Sequence, residues 1–253
     1  PVNDAPTGSV TISGTVQEGA TVTADTSSIT DIDGDSLNFS FQWQISSTYS
    51  GSYSDITDAT SADYLISDTQ DDVGKYLRVT VVASDGNGGS TSFTSSASEI
   101  ANVNDVATGS VTISGTVQEG GTVTADITDI SDPDGDLTFT YQWLKSSGTS
   151  NSGYGYIPNE TSDSYTIPST QDVVGKYLKV KVVATDTYGG ITEITSGGSV
   201  ILNVNDPPTA KSFADITVDE DGTVSDIDLY DLFGDIDGDS LTFTIVEVDG
   251  VKL

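Results

Sequence analysis

Three aspartate triplets are the residues in this sequence whose type and spacing could do chemistry. Each reads Asp-x-Asp-Gly-Asp, and they lie at 31–35, 132–136 and 235–239. Negative charges this close together repel one another unless a cation bridges them, and carboxylate oxygens favour calcium. The triplets therefore predict calcium as the bound cofactor.

The triplets do not fit an EF-hand loop. That loop needs glycine at its sixth position and glutamate at its twelfth, whereas here glycine is fourth and the twelfth residues are Gln42, Trp143 and Val246. We therefore expect each triplet to share an ion with residues from other parts of the chain.

The composition narrows both the partners and the chemistry. The 39 acidic and 8 basic side chains, with no histidine, give a net charge of −31, which argues against nucleic acid or an anionic membrane as a direct partner. No cysteine is present, so disulfides and the usual zinc sites are excluded, and so are catalytic triads built on histidine or cysteine. We do not expect an enzyme.

No apolar run is long enough to span a bilayer, so direct membrane insertion is not expected. The chain starts at Pro1 inside a linker motif, and we expect it to be a piece of a longer protein.

An internal repeat sets the domain organisation. The segment TGSVTISGTVQEG occurs at Thr7–Gly19 and again, unchanged, at Thr108–Gly120, which is 101 residues later. The tripeptide Val-Asn-Asp recurs on the same spacing at 2–4, 103–105 and 204–206, which indicates short linkers between repeats. We predict a linker at 1–6, repeat 1 at 7–102, a linker at 103–107, repeat 2 at 108–203 and a partial third domain at 204–253.

Alternating apolar and polar residues predict β-strands throughout both repeats. The alternation is strongest at Leu37–Ile45 and Leu77–Ala83, and it returns at Leu137–Trp143 and Leu178–Ala184. No helical periodicity is present. Shorter strand candidates in repeat 1 are Ser9–Ser13, Thr21–Asp25, Tyr64–Ser67 and Ser90–Phe93. About seven short strands in each repeat are typical of an antiparallel β-sandwich, so we predict an all-β fold.

A known family carries similar residues at these positions. Trp43 on the third strand and the sequence DVGKY at Asp72–Tyr76 before the sixth strand resemble immunoglobulin-like repeats of bacterial surface proteins, and the resemblance covers both repeats. It implies tandem immunoglobulin-like antiparallel sandwiches joined end to end. The cysteine pair of antibody domains is missing, and Leu77 rather than Tyr76 is in phase with Val79. The segment after Asp206 resembles the truncated start of a cadherin-like domain.

Strand order in such a sandwich places acidic residues at both of its ends. The loops after the second and sixth strands lie beside the incoming linker, and the opposite end brings Glu18 and Asp72 beside the outgoing linker. This distribution resembles that of cadherins, in which two domains and their linker share calcium ions.

The cadherin resemblance implies three groups of candidate ligands. The first junction would use Glu18, Asp72, Asn102, Asn104, Asp105, Asp132, Asp134 and Asp186. The second would use Glu119, Asp172, Asn203, Asn205, Asp206, Asp235 and Asp237. The incoming linker of repeat 1 adds Asn3, Asp4, Asp31, Asp33 and Asp85. The alternative is that these residues are ordinary turn formers on a solvated, salt-adapted surface.

Two non-catalytic functions remain open. In the first, the repeats are extender modules of an extracellular, cell-surface bacterial adhesin of the calcium-dependent secreted kind, and each repeat has its neighbouring repeats as partners. In the second, the repeats themselves bind a glycan or another copy of the array, through Tyr49, Tyr53, Tyr154 and Tyr156 in stretches that differ between repeats. The near-identity of the units favours the first, because a spacer needs many copies of one rigid joint.

Overall fold

The computed structural model of this chain describes residues 2–212, 220, 222–223 and 227–244. It contains two compact units. Unit 1 comprises Pro1–Val106 with the loops Asp132–Asp136 and Asp186–Gly190, and unit 2 comprises Ala107–Ser131, Leu137–Thr185 and Ile191–Leu253.

Repeat 1 forms two antiparallel sheets. Its strands are β1 (Thr11–Ser13), β2 (Thr21–Asp25), β3 (Asn38–Ser46), β4 (Ser54–Asp55), β5 (Asp63–Leu65), β6 (Tyr76–Ser84), β7 (Ser90–Thr94) and β8 (Ser98–Glu99). One sheet has the order β1-β2-β5 and the other β4-β3-β6-β7, with β8 also pairing with β6. A short 3-10 turn, Gln70–Asp72, precedes β6.

Repeat 2 has the same topology. Its strands are β9 (Thr112–Ser114), β10 (Thr122–Asp126), β11 (Leu137–Ser146), β12 (Tyr154–Tyr156), β13 (Ser164–Thr166), β14 (Tyr177–Asp186), β15 (Ile191–Thr195) and β16 (Ser199–Val200). The sheets run β9-β10-β13 and β12-β11-β14-β15, with β16 on β14.

The inward-facing residues of both sheets form the core of each repeat. In repeat 1 every second residue of β6, from Leu77 to Ala83, is completely buried. Trp43 of β3 is also fully buried. The Trp43 ring stacks on Tyr64 at 5.5 Å, and its indole Nε1 donates to the Ser61 carbonyl at 3.0 Å, so its polar atom is satisfied in the core. The predicted all-β class, with an immunoglobulin-like antiparallel sandwich in each repeat, is confirmed.

Beyond repeat 2 the described residues form a two-stranded antiparallel sheet and a helical turn. Strands β17 (Thr209–Ala210) and β18 (Phe233–Gly234) pair antiparallel, and helix α1 (Leu229–Leu232) lies directly before β18. Asp228 caps α1 by accepting a hydrogen bond from the Tyr230 N–H at 2.9 Å. One capped turn is too short to give a helical periodicity, which is why the sequence did not predict it.

Much of the predicted partial third domain lies outside the described residues, and so do Pro1 and most of the acidic motif Val218–Gly222. Within the described residues no helix has both the length and the hydrophobicity needed to cross a membrane.

Candidate metal centres

The first acidic group lies within unit 1 and includes a buried glutamate. Glu18 is only 6% exposed and follows Gln17, which forms an isolated parallel bridge with Ala101. The Glu18 N–H donates to the Ala101 carbonyl at 3.1 Å, so the backbone itself brings this carboxylate next to the residues that follow repeat 1. We call this group the Glu18 cluster: Glu18, Gln70, Asn102–Asp105, the loop Asp132–Asp136 and Asp186.

The carboxylates of the Glu18 cluster hold the linker backbone. The Val103 N–H donates to Glu18 Oε1 and the Asp105 N–H donates to Asp134 Oδ2, each at 2.5 Å. Gln70 connects the two acids, because its Nε2 donates to Glu18 Oε2 at 3.1 Å and to Asp134 Oδ1 at 2.8 Å. Two alternate N–H groups of one linker are therefore fixed by two acid side chains that share one amide.

The Asp-x-Asp-Gly-Asp motif folds onto its own first residue. In the loop 132–136 the Asp134 N–H donates to Asp132 Oδ1 at 2.8 Å, and in the loop 31–35 the Asp33 N–H donates to Asp31 Oδ1 at 2.9 Å. These are Asx turns, which aspartate forms readily. Gly135 follows with φ of 118°, a conformation that favours glycine. Each first aspartate thus uses one oxygen for the turn and keeps the other free.

Unit 2 contains the same frame around Glu119, which is 5% exposed. The Val204 N–H donates to Glu119 Oε1 at 3.0 Å, and the Asp206 N–H donates to Asp237 Oδ2 at 2.6 Å. Carboxylate oxygens of Glu119, Asp206 and Asp237 lie within 4.8 Å of one another. We call this group the Glu119 cluster: Glu119, Gln171, Asn203–Asp206 and Asp235–Asp239.

Gln171 connects the acids of the Glu119 cluster. Its Nε2 donates to Glu119 Oε1 at 3.4 Å, to Asn203 Oδ1 at 2.8 Å and also to Asp237 Oδ1. Desolvation, together with the negative charges of Asp237, Glu119 and Asp235, raises the pKa of Asp206. The crowding of negative charge around Asp206 therefore disfavours its ionised form, and a cation nearby would offset this effect.

A third group, the Asp33 cluster, surrounds the N-terminal linker and consists of Asn3, Asp4, Asp31, Asp33, Asp35 and Asp85. Asn3 Nδ2 donates to Asp85 Oδ2 and the Asp4 N–H donates to Asp33 Oδ2, both at 2.8 Å. Carboxylate oxygens of Asp31, Asp33 and Asp35 lie within 4.8 Å of one another. The Asn3 amide lowers the pKa of Asp85 against desolvation, so this carboxylate is held in its charged form.

Asp186 in the Glu18 cluster is the counterpart of Asp85. It is only 8% exposed, and desolvation opposes its ionisation, yet hydrogen bonds from Gly190, Tyr188 and Asn104 outweigh that effect and lower its pKa. Gly190 permits this approach, because a Cβ there would collide with Asp186 Oδ2 and lie 2.6 Å from Asn104 Nδ2. Gly89 has the same close contact with Asp85 and Asn3.

Buried polar atoms without a hydrogen-bond partner show whether the clusters fit calcium. Among the described residues, four buried side-chain atoms have no hydrogen-bond partner: Asp31 Oδ2, Asp132 Oδ2 and both polar atoms of the Asn102 amide. An unpaired buried polar group costs about 1–3 kcal/mol. Carboxylate and amide oxygens are the ligands calcium prefers, so the donor set fits calcium.

Not every predicted ligand contacts an acid of its cluster. Asp72 pairs with Lys75 at 3.0 Å, Asp172 accepts from Thr170 Oγ1, and Asn205 Nδ2 donates to the Asp206 carbonyl at 3.3 Å. These contacts are local. The structure brings together Glu18, Asn104, Asp105, Asp132, Asp134 and Asp186 in unit 1, and Glu119, Asn203, Asp206, Asp235 and Asp237 in unit 2.

The candidate ligands did not include the third aspartate of each triplet, although Asp35 and Asp239 each lie within 4.8 Å of the other two. Gln70 and Gln171 are the uncharged cluster residues that sequence reasoning missed. The signal was present, because these glutamines stand 101 residues apart and occupy the same place in both repeats. On that spacing Asp172 corresponds to Asp71, whereas Asp72 corresponds to the buried Val173. In both loops the residue that contacts the cluster acids is the glutamine. Asp72 has no aspartate counterpart in repeat 2.

The candidate tyrosines make contacts within their own repeats. The Arg78 guanidinium lies 3.9 Å from the centre of the Tyr53 ring, and Lys179 Nζ lies 4.4 Å from that of Tyr154. The Tyr53 hydroxyl donates to the Tyr49 carbonyl at 3.0 Å. Two of the four rings thus have a face covered by a basic side chain of the same repeat, whereas Tyr156 is 64% exposed.

No protein-family model and no curated protein matches this chain. Solved structures with a similar fold include a Ca2+-stabilized adhesin that helps an Antarctic bacterium reach out and bind ice, at 15% identity and a TM-score of 0.30 over 83% of this chain and 52% of that one. Others are the FN1–FN3 domains of chicken CNTN1 (13%, 0.30, 83% and 73%) and a 1.5-MDa bacterial ice-binding adhesin studied for host cell surface retention (11%, 0.31, 81% and 67%). This chain spans about half the length of the first. At these TM-scores the likenesses carry no argument about function.

Proposed function

We propose that this chain is a non-catalytic extender segment of an extracellular, cell-surface bacterial adhesin, in which calcium bound at the linkers stiffens the connections between repeats. The observation that carries the proposal is the frame shared by the two linkers, in which a buried glutamate and a loop aspartate accept hydrogen bonds from alternate linker N–H groups. The frame consists of Glu18, Asp134, Val103 and Asp105 in one case and Glu119, Asp237, Val204 and Asp206 in the other.

Several residues of the Glu18 and Glu119 clusters have oxygen atoms suited to hold a cation. In the Glu18 cluster these are Glu18, Asn102, Asp105, Asp132 and Asp134, and in the Glu119 cluster they are Glu119, Asn203, Asp206, Asp235 and Asp237. Calcium takes about 6–8 oxygen ligands, and when bound it supplies the positive charge that offsets the repulsion between these carboxylates.

The electrostatics of the chain support this role. The salt bridges among the described residues, Lys75–Asp72, Lys176–Asp172 and Lys181–Glu193, all lie outside the three clusters. The acids on the linkers are therefore balanced by hydrogen-bond donors alone. When this negative charge is not neutralised, repulsion between the acids is expected to weaken the contacts that hold each linker in place.

An extracellular setting agrees with the expected affinity. Calcium sites in extracellular modules bind with dissociation constants of about 10⁻⁴–10⁻³ M, which match calcium outside cells rather than inside them. The near-identity of the two repeats supports an extender, because a spacer gains length by repeating one joint.

Small-angle X-ray scattering of the whole chain tests the proposal. We expect a larger maximum dimension and a less flexible profile in calcium than in excess chelator, with magnesium as the cation control. In the double variant Asp105→Ala, Asp134→Ala the calcium response should be reduced. The matched control Asp55→Ala, Asp63→Ala removes equal charge from strands β4 and β5 and should respond like the wild type.

A scattering profile that is the same in calcium and in chelator would contradict the proposal. The acidic residues would then be solvated turn formers, and screens for glycan binding and self-association would take its place.

A further inference from the structure

Gln70 and Gln171 occupy equivalent positions, each between a buried glutamate and a loop aspartate. Gln70 Nε2 lies 3.3 and 3.1 Å from the two Glu18 oxygens and 2.8 Å from Asp134 Oδ1. An amide nitrogen has two N–H bonds, so three acid oxygens compete for two donors. Gln171 shows the same excess, with acceptors on Glu119, Asn203 and Asp237.

A carboxamide can serve such a group of acids in two ways. Its nitrogen donates to carboxylates, whereas its oxygen accepts and is among the usual ligands of calcium. Rotation of the amide by a half-turn exchanges the two atoms without moving the rest of the side chain. Leucine is apolar and has neither function, and glutamate keeps the oxygens but cannot donate when ionised.

The neighbouring asparagine provides independent support. In the Glu119 cluster Asn203 Oδ1 accepts from Gln171 Nε2 at 2.8 Å. In the Glu18 cluster the equivalent Asn102 has both polar atoms of its amide buried and without a partner among the described residues. Buried amides are normally hydrogen bonded, so an amide that is not points to a ligand that supplies the missing contact.

We propose that Gln70 and Gln171 are themselves calcium ligands through Oε1, and that each amide changes between two roles. In one role its Nε2 joins the two acids, as in this structure. In the other its Oε1 contacts the cation while the acids do the same. This inference rests on the proposed function, because it concerns the same ion. Each glutamine then keeps its cluster assembled at low calcium as well as at high calcium.

Substitution of Gln70 in the full chain separates the two roles by the sign of the effect. Gln70→Leu should weaken calcium binding by about tenfold, which is the smallest loss typical for residues that support a metal site. Gln70→Glu should strengthen calcium binding, since it adds a carboxylate, and should lower Tm in chelator, since it removes the donor between two acids. The control Gln44→Leu introduces the residue that repeat 2 has at Leu144 and should leave calcium binding unchanged.

Isothermal titration calorimetry with calcium and thermal unfolding in chelator measure these effects. A measurement on the wild type avoids the risk that a variant misfolds: the side-chain amide resonances of Gln70 and Gln171 in ¹⁵N-¹H NMR spectra should shift on addition of calcium, whereas those of Gln44 should not.

The outcomes distinguish this inference from the proposed function. If the wild type binds calcium but Gln70→Leu and Gln70→Glu bind it equally well and the amide resonances do not move, the glutamines are not ligands and the extender proposal stands. If the wild type binds no calcium at all, the extender proposal fails and this inference fails with it. Opposite effects of the two substitutions on affinity support the inference.

Discussion

The Glu18 and Glu119 clusters share a frame but differ in how completely the protein satisfies their polar atoms. In the Glu119 cluster, Asn203 accepts a hydrogen bond from Gln171. In the Glu18 cluster, the equivalent Asn102 amide and one oxygen of Asp132 are buried without partners among the described residues. The Glu18 cluster also includes Asp186, which is held charged by hydrogen bonds from Gly190, Tyr188 and Asn104.

This difference separates what the repeated sequence dictates from what the surroundings add. The identical segments Thr7–Gly19 and Thr108–Gly120 place a glutamate and a linker in the same relation twice, so the frame recurs. Which unpaired oxygen atoms are buried depends on the loops that meet that frame. A buried oxygen atom without a partner gains most from contact with a cation, and of the two clusters only the Glu18 cluster has such atoms, on Asn102 and Asp132, among the described residues. We therefore expect tighter calcium binding at the Glu18 cluster.

The largest expected effect comes from removing one charge of each frame. Asp134→Asn keeps the shape and an acceptor for the Asp105 N–H, so the fold should survive, but calcium affinity of the tighter class of sites should fall by about 100-fold. Asp237→Asn should spare that class and weaken the other. Calorimetric titration of the full chain with calcium measures both. If Asp237→Asn removes the tighter class instead, the order of the two clusters is reversed.

A smaller effect tests whether the Asp186 contact causes the difference between clusters. Gly190→Ala places a methyl group against Asp186 and Asn104, so the pair must separate. We expect calcium affinity at the Glu18 cluster to fall by about threefold to tenfold while the Glu119 cluster keeps its affinity. The equivalent Gly89→Ala acts on Asp85 and Asn3, and it serves as the matched control. Equal losses at the Glu18 cluster from both variants would show a general effect on folding.

Much of the fold could be predicted from sequence because its signals are local. The alternation at Leu77–Ala83 predicts strand β6 and its completely buried face. A separate alternation at Leu37–Ile45 predicts that Trp43 lies in the core. Strands β4 and β8, two residues each, are too short to show any alternation. They are defined by pairing with β3 and β6, which is a property of the assembled sheet.

The candidate sites were predictable only in outline. Crowded carboxylates in a sequence indicate a cation site, so Glu18, Asp105 and Asp134 could be predicted as ligands. Gln70 carries no charge, and although Gln171 repeats it 101 residues later, its role followed only from the structure, which places its amide between two acids. Whether Asp72 takes part in a site remains a prediction. The Asp72 carboxylate forms an ion pair with Lys75, three residues later in the chain.

The smallest expected effect measures how far the repeats differ outside the clusters. The side chain and N–H of Thr128 donate to Asp126 and lower its pKa, and Ser27 does the same for Asp25. Since the folded-state pKa is below the unfolded one, this contribution to stability is complete at neutral pH and is lost as the pH falls through the folded pKa. Thr128→Ala should therefore lower Tm slightly at pH 7 and not at pH 2, with Ser27→Ala as the paired variant. Because both pairs are exposed, we expect similar small shifts, measured in chelator. A clear difference between the variants would mean that the repeats diverge outside the clusters as well, and that the contrast between the Glu18 and Glu119 clusters is not specific to the cation-binding frame.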